Sequence, residues 1–321
     1  MPSDAWRSAL HAASVHRFLT KKEKYQARHL PSNPLPTTRN AIYEVCMLKR
    51  WLKMIAYTLV IGSLLAYGLV VAAMYMRQDS LYYPAPRAIL RDPAAYGLAY
   101  QEVQLQSDRE QLYTWFIPAD GPKVVLFFHG NGSTLDCSLP LAEFYHQHGY
   151  SVFVAEYRGY GKSTGAPSEQ GLYQDAQAAW DYLRQQRGYA ESQILLHGES
   201  LGGAVAIWLA AQYPVAGLVT EGTFTRFTDV SAPLFPWLPV RLLSKSHFPS
   251  IERISQVNAP FLLMHSTEDR LIPYSHGQTL FAAASASSKQ FVTLRGEHTA
   301  GLYSDGETYR QNLAQFLAQI P

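Results

Sequence analysis

Between Lys53 and Arg77 the chain runs for 23 residues (54–76, MIAYTLVIGSLLAYGLVVAAMYM) without one charged side chain. As a helix rising 1.5 Å per residue this stretch reaches about 34 Å, more than the roughly 30 Å hydrocarbon core of a bilayer. Buried helices of soluble domains rarely stay uncharged for so long. The apolar region of a cleaved signal peptide is normally about 7–15 residues, and no lipid-accepting cysteine follows the stretch. We therefore expect residues 54–76 to cross a membrane, and they divide the chain.

The two sides differ in charge. Residues 1–53 hold 10 Lys/Arg against 3 Asp/Glu, and residues 77–321 hold 17 against 22, a net charge of −5. The main domain thus lacks the basic excess of a nucleic-acid binder. Lys49, Arg50 and Lys53 crowd the N-terminal flank of the apolar run, whereas Arg77 stands nearest on the other. The positive-inside rule then puts the N-terminus in the cytoplasm and the main domain on the non-cytoplasmic side. Residues 1–46 lack apolar periodicity and are broken by Pro31, Pro34 and Pro36. We expect them to be disordered, or a mis-assigned extension ahead of an anchor that starts at Met47 and runs over 47–76. Cys46 and Cys137 flank the apolar run, so no disulfide between them is expected, and Cys137 reads as a small packing residue.

Beyond Pro86 short β-like runs alternate with helical ones, the pattern of a mostly parallel sheet covered on both faces. Strands are expected at 101–106, 111–117, 123–128, 151–156, 193–197, 216–221, 260–265 and 289–294. Helices are expected at about 138–148, 168–187, 201–212, 274–285 and 303–319. Runs such as VVLFF and FLLM suit strands buried on both faces. The first two strands alternate polar and apolar residues around 107–110, which predicts an antiparallel hairpin at one edge.

Gly198-Glu199-Ser200-Leu201-Gly202 follows the apolar ILLH and precedes AVAIWLAAQ. G-x-S-x-G alone would arise by chance in roughly one chain in ten of this length. Its place between a strand and a helix makes it a nucleophile elbow, with Ser200 on a sharp turn at the positive end of a helix. The third strand ends in Phe128-His129-Gly130-Asn131-Gly132. That loop and the residue after the serine are where an oxyanion hole draws its backbone N–H groups, so Asn131 and Leu201 are the candidates; His129 reads as a loop-fixing side chain. The seventh strand leads to Asp269 and the eighth to Gly296-Glu297-His298. In the chain order serine, acid, histidine, His298 would take the Ser200 proton and Asp269 would orient its ring. Glu221, ending the sixth strand, is the alternative acid. Glu268 reads as a solvated charge, and His276 is a poorer base.

LYYP, FFHGNG, YRGYGKSTGAPSEQGLYQDAQAAWDYL, LLHGESLGGAVAIWLA, TEGTF, MHSTEDRLIP and GEHTAG cover nearly everything after residue 77. In these motifs the chain resembles the membrane-anchored α/β-hydrolases of the bud-emergence-protein-like branch, relatives of acyl-protein thioesterases and lysophospholipid lipases. The resemblance implies an α/β-hydrolase fold over 77–321 with an eight-stranded, mostly parallel sheet. It also implies a serine hydrolase acting on carboxylic esters or thioesters, with no cofactor and a small-molecule or lipid-like substrate. One departure is Gly222, where the family often carries a bulkier polar residue.

Within 222–258, Phe224, Phe227, Phe235 and Trp237 lie among Pro233, Pro236 and Pro239. The insertion is too short for a large cap; an acyl pocket, a membrane-touching surface and plain packing against the sheet all fit it. Tyr157-Arg158-Gly159-Tyr160-Gly161-Lys162-Ser163 reads as loop scaffolding, with its tyrosines at the pocket edge as the alternative. No CxxC or HExxH pattern points to a metal. A carboxylate nucleophile, as in dehalogenases, is excluded by a serine at 200. A peptidase resembling prolyl oligopeptidases, without the propeller, and a silent membrane-anchored scaffold are the other readings.

Overall fold

The computed structural model describes residues 38–320. Helix α1 (Thr38–Tyr82) begins two residues beyond Pro36 and ends two before Pro84, so prolines bracket it at both ends. It is long and apolar enough to cross a membrane, with a mean hydropathy of 2.1 in its most apolar window. Two sequence boundaries move. Residues 38–46, expected to be disordered, are helical, because no Pro or Gly interrupts the chain between Pro36 and Gly62. The helix also passes Arg77, where the main domain was expected to start. Residues 1–37 of the expected extension lie outside the described residues. The described residues divide into two units between Gly68 and Leu69, so the last eight residues of the apolar run belong to the second unit.

The second unit is built on one sheet of eight strands: β1 (Gln101–Ser107), β2 (Glu110–Ile117), β3 (Val124–Phe128), β4 (Ser151–Ala155), β5 (Ile194–Glu199), β6 (Gly217–Glu221), β7 (Phe261–Ser266) and β8 (Lys289–Leu294). Their spatial order is β1-β2-β4-β3-β5-β6-β7-β8. β1 and β2 form the expected antiparallel hairpin, β2 meets β4 antiparallel, and every later pairing is parallel. From β3 the chain steps to β4 on one side and later to β5 on the other. This reversal makes the carboxyl ends of β3 and β5 a topological switch point, the usual place for a ligand in such sheets.

All five residues of β3, β4 and β6 and all six of β7 are buried. Alternate residues feed two cores: Val124, Leu126 and Phe128 join one, and Val125 and Phe127 the other. Helices α3 (Glu169–Asp181), α4 (Leu201–Ala210) and α8 (Ser275–Ala283) cover the first face. Helices α2 (Leu139–Gln147) and α10 (Gly306–Gln319) cover the second. Truncating Phe128, which is fully buried, to alanine would cost about 3–5 kcal/mol. The insertion after β6 carries three short helices: α5 (Phe227–Leu234), α6 (Val240–Leu243) and α7 (Ser250–Ile254). Helix α9 (Gly301–Ser304) precedes α10, splitting the single helix expected over 303–319. Cys46 and Cys137 are free, and Cys137 is exposed rather than packed.

Candidate active site

Ser200 occupies the one-residue gap between β5 and α4 at φ 54° and ψ −114°. A side chain held at positive φ costs about 1–3 kcal/mol and persists only where its surroundings enforce it. Here the Ser200 amide donates to the Glu221 carbonyl at 2.8 Å, and its own carbonyl accepts from the Gly203 amide at 3.1 Å. Gly202 lets the first turn of α4 press against the end of β3: a Cβ there would stand 2.1 Å from the Phe128 carbonyl oxygen. The serine is thereby lifted to the sheet's carboxyl edge with its residue 8% exposed.

The loops after β7 and β8 bring two groups to it. His298 Nε2 lies 2.8 Å from Ser200 Oγ, and His298 Nδ1 lies 2.6 Å from Asp269 Oδ2. A carboxylate only accepts, so Nδ1–H donates to Asp269 and Nε2 is left to accept the serine hydroxyl. Asp269 Oδ1 accepts the amides of Leu271 (2.9 Å) and Ile272 (2.8 Å). Burial alone would push the Asp269 carboxyl up. The His265 and His298 rings, the latter's charge and the Ile272 amide outweigh it and hold the group well below the usual carboxylate range. Asp269 therefore stays ionised where an imidazolium needs a counter-charge.

Glu221 does not share this role. Its Oε1 accepts the Gly301 amide at 3.2 Å, and burial pushes its carboxyl up. His276 is engaged elsewhere, with Nδ1 at 2.9 Å from Thr225 Oγ1. Glu268, expected to be a solvated charge, accepts the Gly296 amide at 2.9 Å and so braces the loop that carries His298. Gly222 sits at φ 57° beneath the histidine, where a Cβ would stand 3.2 Å from His298 Cε1. The absence of a side chain at 222 thus leaves the imidazole its room.

On the opposite wall the loop after β3 carries Asn131. The amides of Asn131 and Leu201 are not among the donors consumed by turns, loops or caps. Asn131 also has a bracing role that no sequence pattern signals. Its Nδ2 donates to the Tyr82 carbonyl at 2.7 Å, and its Oδ1 accepts from the Tyr160 hydroxyl at 2.7 Å. His129 fixes the same loop through Glu156 (2.6 Å) and the Gly130 carbonyl (2.8 Å), and Tyr157 donates to the His129 carbonyl at 2.9 Å. The segment 157–161 is scaffolding for this wall, with Arg158 locked to Asp175 at 2.7 Å. Among the described residues no group of three His, Cys, Asp or Glu side chains could hold a metal ion.

Comparison with known proteins agrees with this architecture. The family model described as "Serine aminopeptidase, S33" matches residues 120–252. The chain is 32% identical over 281 residues to the α/β-hydrolase domain-containing protein WAV2 of Arabidopsis thaliana, covering 78% of this chain and 91% of that one. It is 31% identical over 277 residues to protein bem46 of Schizosaccharomyces pombe, covering 80% and 91%. Among solved structures, the Pyrococcus furiosus esterase Pf2001 superposes with a TM-score of 0.64 at 20% identity, covering 73% of this chain and 95% of the esterase, a likeness of fold. With the elbow, the parallel sheet and these relatives together, the chain belongs to the α/β-hydrolase family, in the branch that includes bem46 and WAV2.

Proposed function

We propose that this hydrolase is a serine enzyme that cleaves carboxylic esters or thioesters of apolar acyl groups through an acyl-enzyme on Ser200. The observation that carries the reading is the unbroken hydrogen-bond chain from Ser200 Oγ through His298 to Asp269. In this reading Ser200 Oγ attacks the substrate carbonyl carbon while His298 Nε2 takes the hydroxyl proton. The carbonyl oxygen, now negative, receives the amides of Leu201 and Asn131, each worth roughly 3–4 kcal/mol in the transition state. Collapse breaks the bond to the alcohol or thiol, which leaves with the proton from His298. Water then enters, gives its proton to His298 and releases the acid, restoring Ser200.

The anchor supplies location. The apolar helix is taken to hold the chain in a membrane, with the catalytic unit on the non-cytoplasmic side, supported by the cations at Lys49, Arg50 and Lys53. Protease protection in sealed vesicles tests the orientation. Fluorophosphonate labelling that is lost in Ser200→Ala tests the chemistry, and absence of labelling in the native chain would favour a silent scaffold.

A second reading, a peptidase, draws on the family model's description as a serine aminopeptidase. Amino-acid nitroanilides with a free amine discriminate it from nitrophenyl esters. Among esters, acyl chains of medium length should exceed acetyl, with a ceiling of about 0.8 kcal/mol per buried CH₂. A rate that falls steadily from acetyl upward would exclude apolar acyl groups.

A further inference from the structure

The insertion between β6 and β7 leaves the sheet at the same edge as Ser200, buries Phe224, Val240 and Phe248, and turns three other apolar side chains outward. Leu234 is 62% exposed, Trp237 50% and Leu242 81%. Three exposed apolar side chains on one short segment, next to an apolar recess, are the mark of a surface that meets something other than water.

The recess fixes the level of that surface. It is lined by Val71, Met74 and Tyr75 from the end of the apolar run and by Phe235, Leu238 and Leu243 from the insertion. One turn further along α1, the buried Gln78 pins the segment in place. Its Nε2 donates to the Leu243 carbonyl at 3.2 Å, and its Oε1 accepts the Lys245 amide at 2.7 Å. The Lys245 ammonium lies 4.6 Å from the centre of the Tyr75 ring. The α5–α6 segment is therefore fastened to the last turns of the same run of residues that is long enough to fill a bilayer core.

We infer that the α5–α6 segment is seated in the membrane, with Leu234, Trp237 and Leu242 in contact with lipid at the boundary between headgroups and hydrocarbon. The inference rests on residues 54–76 spanning the bilayer. A 23-residue run slightly overfills a core that about 20 residues cross, which brings Tyr75 and Met76 to its margin. Tryptophan and tyrosine favour that margin, and Arg77 and Lys245, both exposed, suit the anionic headgroups just beyond it. An ester with a long acyl chain would then reach the catalytic edge from the lipid side.

The test uses the full chain in nanodiscs of phosphatidylcholine and phosphatidylglycerol, with Cys46→Ser and Cys137→Ser removing the native thiols. Single cysteines are introduced as Leu242→Cys, Leu64→Cys and Gln185→Cys and labelled with a polarity-sensitive fluorophore. Quenching is read with doxyl lipids spin-labelled near the headgroup or near the chain terminus. The expected result is strong quenching at 242 by the shallow quencher, at 64 by the deep one, and none at 185. Quenching at 64 without quenching at 242 overturns the docking of the insertion while leaving the span intact. A blue shift at 242 without quenching also overturns it, since protein would then cover the patch. Quenching at 185 as well as 242 would mean unspecific adsorption and overturns it. Absence of quenching at 64 removes the span, and the inference falls with it.

Discussion

Asp269 Oδ2 stands 2.6 Å from His298 Nδ1, while Glu221, at the end of the neighbouring strand β6, spends its Oε1 on the Gly301 amide. Two acids reach the same side of the sheet, and Asp269 is the one hydrogen-bonded to the imidazole; in the proposed mechanism it orients the ring. Asp269→Asn should therefore lower kcat by roughly 10⁴-fold, because the amide would favour the wrong tautomer and supply no counter-charge. Glu221→Gln should cost far less. Steady-state kinetics on a nitrophenyl ester that gave the opposite ranking would move the acid to Glu221.

Ser200→Ala should reduce kcat by about 10⁶-fold if the three side chains act as a unit, and should abolish probe labelling. The fold should survive, since the backbone bonds that hold the turn come from the Ser200 amide and carbonyl rather than its hydroxyl. Labelling that persists in the variant would place the nucleophile elsewhere.

Burial raises the Glu221 carboxyl above its usual range, against the nearby Tyr309 hydroxyl, the Gly301 hydrogen bond and two nearby histidines. A carboxyl whose folded value lies above its unfolded value binds its proton more tightly in the folded chain. The stability it contributes is full below about pH 4.3 and is lost as pH rises through the folded value. Asp269, held low, behaves oppositely: its contribution is present above about pH 3.9 and is lost only on further acidification. As pH rises from about 4.3 towards the folded value, the melting temperature of Glu221→Gln should thus gain on that of the native chain by a widening margin. A margin that stays constant or narrows as pH rises from about 4.3 would contradict the assignment.

Gly222→Ala should impair turnover without unfolding the protein. The new Cβ would meet His298 Cε1 at 3.2 Å, at a φ of 57° that L side chains disfavour, so the ring must shift by a few tenths of an ångström. A misplacement of 1 Å can cost on the order of 100-fold, and this smaller one should cost roughly tenfold in kcat with KM little changed. Unchanged kcat would show that the ring does not depend on this space.

A chain starting at Arg77 retains Gln78, the Tyr82 carbonyl bond to Asn131 and the Tyr83 hydroxyl bond to Ser246 (2.8 Å). It should be soluble and active on a soluble ester, though less stable than one starting at Leu69, which keeps the apolar wall at Val71, Met74 and Tyr75. A chain starting at Pro84 leaves the Asn131 amide group without its acceptor, a loss of about 1–3 kcal/mol, and should lose at least about tenfold in activity. The full chain should resist alkaline carbonate extraction from membranes; release would mean that 54–76 does not span.

The strands were legible because runs such as VVLFF and FLLM are buried on both faces and leave a continuous apolar signature. Ser200, Asp269 and His298 were legible because each follows a strand that ends at one edge, so a strand count already converges them. Tyr82, Glu268 and the start of α1 were not. The Tyr82–Asn131 bond joins positions 49 apart through a backbone carbonyl, which carries no residue preference. Glu268 acts through one amide of a neighbouring loop. Residues 38–46 continue a helix whose driving apolar pattern lies further along the chain, and α5, α6 and α7 are too short for a helical period to show.

The 98 positions between Ser200 and His298 also have a meaning in time. A ribosome delivers the elbow first and the imidazole almost last, on the loop after β8, a strand that pairs only with β7 at the outer margin of the sheet. Contacts of such long sequence separation close late in folding. A nascent chain therefore carries the Ser200 hydroxyl without its His298 partner until synthesis is nearly complete. If Ser200 is the nucleophile proposed above, its activation waits for the final stretch of polypeptide, and a chain that stops short of β8 would be chemically inert as well as unfinished.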